Sequence, residues 1–363
     1  MIGINRTTIN TREYYLETKL NLKGLTLKEL QDYLIALGLP KYRSKQIFTW
    51  MYRQNVCCWE EMTDLPKELR RVFQETKTSL GCLSLVSHVR AEDGTTKYLF
   101  GLNDGETVES VYLPEPDRHT VCLSTQVGCG MGCLFCATGQ RGLIRNLTTA
   151  EIVDQPLRIS QLTGSIINSL VIMGQGEPLI NYDSLLKAIS IINDPQAIGI
   201  GARHITISTC GIIPGILKLA EEPFQVNLAI SLHAADNQLR DYMMPINRKY
   251  PLEQLIEACR IYLSRTNRRI TFEYTLIDGI NDRQVDLSNL IRLLSGLLCH
   301  VNLIPFNPIP NSALKRSKGE RIKEFAAGLK QARIETTIRK ERGSALAAAC
   351  GQLQGKSYLN ENT

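Results

Sequence analysis

Apolar residues recur at helical spacing between residues 26 and 77. In TLKELQDYLIALG, residues 26–38, leucines follow each other every three or four positions between Thr26, a suitable N-cap residue, and Gly38, a helix stop. The segments KYRSKQIFTWMYRQ and LPKELRRVFQE continue in the same way. The pattern predicts a small helical accessory domain, to which we assign residues 1–80.

The period changes to two between residues 82 and 113. The segments LSLVSHV, TKYLFGL and TVESVYL alternate apolar and polar positions, and EDG and NDG stand between them as hairpin signals. We therefore expect a short antiparallel meander over residues 81–114, which links two larger parts of the chain.

From Thr120 onward, short apolar segments alternate with helical ones. The strand candidates are VCLST, SLVIMG, HITIST, VNLAISLH, ITFEYTLI and HVNLIPF. Six strand–helix units predict an α/β fold with a parallel sheet, curled into a barrel or left open. A complete barrel of eight units would need more chain than is left. The polar motifs GQGEP, STCG, SLHA and FNP follow the second, third, fourth and sixth strands, at the carboxyl ends where active residues of such sheets gather.

The composition is that of a soluble globular protein, with 363 residues, 43% of them apolar and 21% charged. No apolar run approaches the roughly 18 residues of a membrane span, and the polar N-terminal segment lacks a signal-peptide core, so we expect a cytoplasmic protein. A net charge of +6 permits a polyanionic partner without establishing one. In a reducing compartment, the eleven cysteines are expected to bind metal or do chemistry rather than form a structural disulfide framework.

Three cysteines stand in a C-x3-C-x2-C spacing on a glycine-rich loop after the first of these strands, at Cys129, Cys133 and Cys136. Four thiolates fill a [4Fe–4S] cluster, so three leave one iron open to a substrate or cofactor. Zinc is the main alternative, but it favours a fourth ligand, and no nearby C-x2-C or H-x3-H motif supplies one. Three cysteines packed as small apolar side chains do not suit a loop with glycines at 128, 130 and 132.

The spacing resembles that of the radical-SAM superfamily, in which the open iron binds the amino and carboxylate groups of S-adenosylmethionine. The resemblance implies a partial (β/α)6 TIM-like barrel, assigned to residues 115–343, and one [4Fe–4S] cluster with S-adenosylmethionine as cofactors. It also implies the contacts to S-adenosylmethionine, which are Gly176, Glu177, Ser208, Ser231, Leu232, His233 and Asn307.

Further motifs resemble the RlmN family of radical-SAM methyltransferases, which modify carbon 2 of adenine in 23S rRNA and tRNA. They are C-x6-C-x3-C-x2-C, RNLT, MGxGEPL, ISLHA, PINRKYP, NLIPFNP and AACGQL, and they span nearly the whole chain. The resemblance implies that Cys350, in the tail of residues 344–363, carries a methyl group as S-methylcysteine. It implies that Cys122 releases the product through a transient Cys122–Cys350 disulfide and that Glu109 accepts the proton from carbon 2. Two molecules of S-adenosylmethionine are then consumed per turnover.

Other interpretations remain open for these residues and for the function. Cys122 also suits a strand core, Cys350 a helix contact in an alanine-rich tail, and Glu109 an exposed strand position. The tail sequence GSALAAACGQL lacks the acidic residues of the family pattern, and Cys210 stands where serine is common. The alternative functions are Cfr-like methylation of adenine C8, where QCGC replaces the QVGC around Val127, and a non-catalytic iron–sulfur protein that binds RNA.

The expected partners are 23S rRNA, tRNA or both, and a low-potential electron donor, with no membrane and a monomeric chain. Lysines and arginines are expected to contact RNA phosphates. The candidates are basic residues of the helical domain and the run LKRSKGERIK, which contains Lys315, Arg316, Lys318 and Arg321 and also suits a solvated helix start. No segment resembles an RNA-binding aromatic motif.

Overall fold

A computed structural model describes residues 20–75, 78–310, 312–339 and 351–353. Within these ranges the strands are β1 Leu20–Asn21, β2 Thr78–Ser79, β3 Ser84–Arg90, β4 Thr96–Gly101, β5 Thr107–Pro114, β6 His119–Cys122, β7 Gln126–Cys129, β8 Gly142–Asn146, β9 Ser169–Ile172, β10 Ile205–Thr209, β11 Asn227–Ser231, β12 Ile270–Leu276, β13 Cys299–Pro305 and β14 Glu335–Ile338. The helices are α1 Leu27–Ala36, α2 Tyr42–Tyr52, α3 Lys67–Glu75, α4 Ala137–Arg141, α5 Thr149–Thr163, α6 Tyr182–Asn193, α7 Ile213–Leu219, α8 Asn237–Met243, α9 Leu252–Thr266, α10 Gln284–Leu294 and α11 Gly319–Gln331.

A ten-stranded sheet dominates the larger of two compact units, with the order β14-β13-β12-β11-β10-β9-β6-β5-β4-β3. Neighbouring strands from β6 to β14 are parallel, whereas β3 to β6 pair antiparallel. The six predicted strands are β6 and β9 to β13, so the partial α/β barrel is confirmed. The strand β14 was not predicted, because ETTI is short and mostly polar.

The predicted antiparallel meander is also present, as β3, β4 and β5. Its strands continue the large sheet through the pairing of β5 with β6 instead of standing apart from it. Because β4 lies between two antiparallel neighbours, five of its six residues are buried.

Successive side chains of a strand point to opposite faces of the sheet, and β10 shows this alternation most clearly. In β10, Ile205 and Ile207 are fully buried, whereas Thr206 and Ser208, which alternate with them, are only half-buried. On β12, Tyr274 stacks on Phe325 of α11, with 5.4 Å between ring centroids. This alternation leaves small polar side chains on the face that carries the site described below.

The smaller compact unit comprises residues 1–83, 148–164 and 186–200, within the described ranges. Its helix α1 begins with a capping box between Thr26 and Glu29, and Gly38 adopts a φ of +79° just beyond the helix, as the apolar pattern predicts. The α2 side chains of Phe48 and Met51 are fully buried, as are the α1 residues Leu30 and Leu34. The predicted helical domain therefore has an apolar core of its own.

A buried ion pair stabilises this smaller unit. Lys23 Nζ lies 2.6 Å from Asp154 Oδ1 of α5, and the second oxygen of Asp154 accepts a hydrogen bond from the backbone of Leu83. Burial raises the pKa of Asp154, and the Lys23 charge opposes that rise.

One disulfide occurs within the described residues, between Cys57, which follows α2, and Cys82, which precedes β3. This differs from the expectation that these cysteines would not form a structural disulfide. The fold brings the two Cα atoms to 5.7 Å, a separation that a disulfide bridges, although the two cysteines are 25 positions apart in the sequence. None of the helices in the described part of the chain is long and apolar enough to cross a membrane.

Candidate active site

A β-hairpin positions the three clustered cysteines. Strands β7 and β8 pair antiparallel with an irregularity between Val127 and Gly128, and the short helix α4 begins directly after Cys136. Gly128 has a φ of +75°, and a Cβ there would lie 2.0 Å from the carbonyl oxygen of Gly142. Only glycine fits at position 128, because the two strands of the hairpin approach each other so closely there.

The side chains of Cys129, Cys133 and Cys136 line one cavity. Burial raises the pKa of the Cys129 thiol to about 12 and that of Cys136 to about 11, and the neighbouring thiols add to both shifts. Metal binding requires the cysteines to be thiolates. Burial of this loop disfavours the negative charge of a thiolate unless a positive charge lies close to it. An iron–sulfur cluster supplies that charge, so the donor set fits it. Among the described residues, no group of three or more His, Cys, Asp or Glu side chains is arranged to hold a single metal ion.

Glu177 is the buried carboxylate of this cavity. It directly precedes the 3-10 helix Pro178–Ile180, and its Oε1 accepts a hydrogen bond from the backbone of Leu179. Its Oε2 accepts two hydrogen bonds of 2.8 Å from Cys210, one from the backbone N–H and one from Sγ. Burial raises the pKa of Glu177, and these hydrogen bonds oppose the rise. The carboxylate is thus fixed in orientation before any ligand binds.

Gly176 lets this carboxylate approach the cysteine hairpin. Its φ is +102°, and a Cβ there would lie 2.5 Å from Cβ of Gln126 on β7. The Gln126 side chain in turn accepts a hydrogen bond from the backbone N–H of Glu177. The GQGEP motif therefore fits against the hairpin only with glycine at this position.

Four further predicted contacts, Ser208, Ser231, His233 and Asn307, line the same cavity. The hydroxyls of Ser208 and Ser231, at the ends of β10 and β11, lie 3.5 Å apart. Leu232 differs, because its side chain is fully buried outside the cavity lining and its backbone N–H donates to the Glu273 carbonyl. The predicted contact of Leu232 with the cofactor therefore does not involve a side chain that lines the cavity, and it stays a prediction.

His233 is held as a neutral hydrogen-bond donor. Its Nδ1 accepts from the backbone N–H of Thr275, which leaves the ring proton on Nε2. Burial, with a smaller contribution from the Arg240 charge, lowers the pKa of His233 to about 3. The ring packs edge to face against Phe135, with centroids 4.5 Å apart.

Arg240, fully buried on α8, ties these turns together. Its guanidinium donates to the carbonyl oxygens of Leu232, Cys210 and Ser231. A fourth hydrogen bond of 2.9 Å goes to the side chain of Asn247 in the 3-10 helix Pro245–Arg248. The PINRKYP motif thus contributes Asn247 to the support of the cavity wall, a role that sequence reasoning missed.

Sequence reasoning also missed Glu273 and Arg339, which line the cavity. Glu273, in the middle of β12, accepts a 2.8 Å hydrogen bond from Asn302. Burial raises the pKa of Glu273, and the positive charge of Arg339 opposes this effect. A glutamate inside the apolar strand ITFEYTL was the available signal for the first residue. Arg339 follows the unpredicted strand β14.

Cys350 lies outside the described residues, but the next three residues are described. Gly351 lines the cavity, and its carbonyl accepts a 2.7 Å hydrogen bond from the backbone of Ala137, directly after Cys136. The Thr138 hydroxyl donates to the carbonyl of Leu353 at 2.6 Å. The chain immediately after Cys350 is thus hydrogen-bonded to the helix that follows the cysteine loop.

Cys122 is buried on β6 and is not part of the cavity lining. It forms a small apolar cluster with Val111 of β5 and Leu353. The tail residues after Cys350 therefore reach the cavity at one end and the surroundings of Cys122 at the other.

Glu109 is fully buried on β5, so its interpretation as an exposed strand residue was wrong. Its Oε1 lies 3.1 Å from Nζ of Lys97, which is also buried on β4. The backbone N–H of Glu109 donates to the side chain of Gln175, the residue before Gly176. This hydrogen bond connects Glu109 to the GQGEP turn, although Glu109 does not line the cavity.

The run LKRSKGERIK contains both exposed and engaged cations. Arg316 is half-buried and donates to the Phe306 carbonyl and to Asn307 Oδ1, so it positions a cavity residue. Arg321 forms an exposed ion pair with Glu324. Lys315 and Lys318 are exposed on the surface.

Comparisons with known proteins agree with this geometry. A model of the radical SAM superfamily matches residues 123–291, and a model of the ribosomal RNA large subunit methyltransferase N-terminal domain matches residues 20–78. A probable dual-specificity RNA methyltransferase RlmN of Thermoanaerobacter sp. (strain X514) is 46% identical over 348 residues, which cover 94% of this chain and 99% of the relative.

Two further proteins extend the comparison. The corresponding protein of Caldanaerobacter subterraneus subsp. tengcongensis is 47% identical over 341 residues, with 94% of this chain and 99% of the relative covered. The crystal structure of a radical SAM methyltransferase from Sphaerobacter thermophilus superimposes with a TM-score of 0.89 at 47% identity. That superposition covers 93% of this chain and 100% of the other.

Proposed function

Because the chain belongs to the RlmN family of radical SAM RNA methyltransferases, we propose that it methylates carbon 2 of an adenine in 23S rRNA and in tRNA. One observation carries the proposal: three clustered thiols, the Glu177 carboxylate and the residue after Cys350 line a single cavity. Carbon 2 of adenine is electron-poor and bears an unreactive C–H bond, so it cannot attack a sulfonium methyl group directly. A site that combines a cluster, S-adenosylmethionine and a methyl-carrying thiol overcomes this limit.

Cys129, Cys133 and Cys136 would hold a [4Fe–4S] cluster, as radical SAM enzymes require, and leave one iron without a protein ligand. When bound, the cluster supplies the electron that cleaves S-adenosylmethionine homolytically. Glu177, with its fixed carboxylate, would bind the amino group of the methionine part. Ser208, Ser231, His233 and Asn307 would contact the remainder of the cofactor from the strand ends. A low-potential donor would deliver the electron.

Cys350 would act as the methyl carrier. Its thiolate would take a methyl group from one S-adenosylmethionine, while a second is cleaved to activate that methyl group, so each turnover uses two. Gly351 at the cavity wall supports this role, because it is the next residue in the chain.

Cys122 and Glu109 would complete the transfer. Once the adduct has given up its unpaired electron, the Cys122 thiolate would attack the Cys350 sulfur and break the bond from that sulfur to the transferred carbon. That carbon takes up a proton as methylated RNA leaves, and an external thiol reduces the resulting Cys122–Cys350 disulfide before the next turnover. Leu353 against Cys122 supports this pairing. Glu109 would accept the proton that leaves carbon 2, and its ion pair with Lys97 holds the carboxylate in place.

The RNA has to present an unstacked adenine to the site, as enzymes that act on bases require. Lys315 and Lys318 are exposed, and we assign them to phosphate contacts, together with basic residues of the helical domain. Arg316 is better assigned to positioning Asn307. We expect a cytoplasmic monomer whose domain boundaries follow residues 80, 114 and 343.

Anaerobic methylation of 23S rRNA and tRNA fragments tests the proposal. Reconstituted protein with dithionite and S-adenosylmethionine should produce 2-methyladenosine by mass spectrometry of digested RNA. Cys350→Ala should be inactive, Cys122→Ala should accumulate a covalent protein–RNA adduct, and Cys299→Ala, at the amino end of β13, should behave as wild type. Formation of 8-methyladenosine alone, or no methylation, would overturn the proposal.

A further inference from the structure

Cys210 is a buried thiol of the cavity for which the proposed reaction has no use. It directly follows β10, and its S–H donates to Glu177 Oε2 at 2.8 Å. The second candidate acceptor is the sulfur of Cys133, which lines the same cavity and packs against the buried cluster that contains Cys210. The thiol thus lies between the carboxylate proposed for the cofactor amino group and one proposed cluster ligand.

The backbone of Cys210 is held firmly, so only its side chain is free to choose between these acceptors. Its carbonyl accepts a 2.8 Å hydrogen bond from Arg240, and its N–H donates to Glu177. The next residue, Gly211, has a φ of +104°, and its N–H donates to the Thr209 hydroxyl. A rotation about the Cα–Cβ bond redirects the thiol without any change in the turn.

An ammonium group that reaches Glu177 competes with the thiol for the same oxygen. Glu177 already accepts a bond from Leu179 on Oε1 and two from Cys210 on Oε2. A charged ammonium is a much stronger donor to a carboxylate than a neutral thiol. The Cys210 thiol therefore loses its hydrogen bond to Glu177, and the Cys133 sulfur is the acceptor that remains for it.

We propose that Cys210 is a positioning residue that couples cofactor binding to the reduction potential of the cluster. Without the cofactor, its S–H donates to Glu177. With the amino group on Glu177, its S–H donates to the Cys133 thiolate and makes the cluster easier to reduce, since hydrogen bonds to cluster sulfurs set the potential. The thiol keeps its proton throughout, and electrons come from an external reductant. This inference rests on the proposed cluster and cofactor sites.

The test is a redox titration monitored by electron paramagnetic resonance, with titanium(III) citrate as reductant. S-adenosylhomocysteine serves as the probe, because it keeps the amino and carboxylate groups but is not a sulfonium. At a fixed potential, we expect probe-bound wild type to hold about a tenfold higher ratio of reduced to oxidised cluster than probe-bound Cys210→Ala. That ratio corresponds to about 59 mV for one electron. Without the probe, the two proteins should differ far less.

Two variants and one binding measurement separate coupling from a structural role. Cys210→Ser retains a donor and should restore most of the tenfold difference, whereas Cys299→Ala, the same deletion at a buried cysteine outside the cavity, should match wild type. The affinity of Cys210→Ala for the probe should be equal to or higher than that of wild type, because one competitor for Glu177 is gone.

The possible failures are distinguishable. Equal ratios in wild type, Cys210→Ala and Cys210→Ser with the probe bound would overturn the coupling while leaving the proposed function intact, and so would weakened probe binding with an unchanged ratio. If no variant, wild type included, forms a [4Fe–4S] signal, the proposed function fails as well.

Discussion

The cavity and the neighbouring strand pair β5–β6 both contain proposed functional residues, but these residues face an open space in the cavity and are buried in the strand pair. In the cavity, the three clustered thiols, Glu177 and His233 reach a common space from separate strand ends. On the strand pair, Glu109 and Cys122 are buried outside that space, one in an ion pair and the other in an apolar cluster. The cavity residues thus face an open space, whereas the two groups of the strand pair are buried away from it.

The two regions also depend on different parts of the chain. The cavity is shaped by turns with positive φ at Gly128, Gly176, Gly211 and His233, each next to a lining residue or itself part of the lining. The strand pair depends on cross-strand register, which sets Cys122 of β6 opposite Val111 of β5 and sets Glu109 of β5 opposite Leu99 of the adjacent β4. Local backbone geometry thus shapes the cavity, and long-range strand pairing places Glu109 and Cys122 outside it. Four substitutions test this contrast.

The largest effect is expected from Arg240→Met in the cavity wall. The loss leaves the carbonyls of Leu232, Cys210 and Ser231 without their buried donor, which should lower the free energy of unfolding by about 3–5 kcal/mol. Urea denaturation measures the change. Arg265→Met, at an exposed ion pair with Glu221, is the control and should cost less than about 1 kcal/mol. Equal effects of the two substitutions would refute the role of Arg240.

The next effect concerns the strand pair. Lys97→Met leaves the Glu109 carboxylate buried without its ion-pair partner, and we expect a loss of about 3 kcal/mol in the free energy of unfolding. The double variant Lys97→Met/Glu109→Leu should recover most of this loss, since neither charge remains buried. If the double variant is as unstable as the single one, the ion pair is not what stabilises this site.

A smaller effect is expected from Gly176→Ala. A methyl group there would lie 2.5 Å from the Gln126 side chain, and the residue has a positive φ. The free energy of unfolding should therefore fall by about 2 kcal/mol, and S-adenosylhomocysteine should bind more weakly. Gly279→Ala is the matched control, because Gly279 has a φ of +70° with nothing within 4 Å of the added Cβ. The free energy of unfolding of Gly279→Ala should fall by only about 1 kcal/mol, and its binding of S-adenosylhomocysteine should be normal. Similar binding by both variants would argue against a role for the GQGEP turn.

The smallest effect, counted per pH unit, is a pH dependence. His233 has a folded pKa of about 3, below the roughly 6.5 of an unfolded histidine, so the unfolded state binds a proton first as the pH falls. Its contribution to stability is therefore present above pH 6.5 and is lost at about 1.4 kcal/mol per pH unit down to about 3. His233→Asn should remove this slope, which urea denaturation at several pH values measures against wild type. Identical slopes would contradict a buried neutral His233.

The sequence predicts the cavity better than its surroundings. Strand–helix alternation and the motifs GQGEP, STCG, SLHA and FNP correctly place polar residues at strand ends, because each motif is local and its strand is apolar. The strand β14 and the hairpin of β7 and β8 were missed, since their short segments do not stand out by period. The partnership of Lys97 with Glu109 depends on antiparallel register, which single-residue patterns do not encode.

Mössbauer spectroscopy of protein reconstituted with 57Fe, recorded with and without S-adenosylmethionine, tests the central claim most directly. If Cys129, Cys133 and Cys136 hold a [4Fe–4S] cluster with one open iron, the cofactor should change the signal of one iron in four and leave the other three unchanged. Glu177→Gln should weaken the response by lowering cofactor affinity, with the cluster itself retained. A spectrum that S-adenosylmethionine leaves unchanged, or protein that binds zinc in place of iron, would contradict the account.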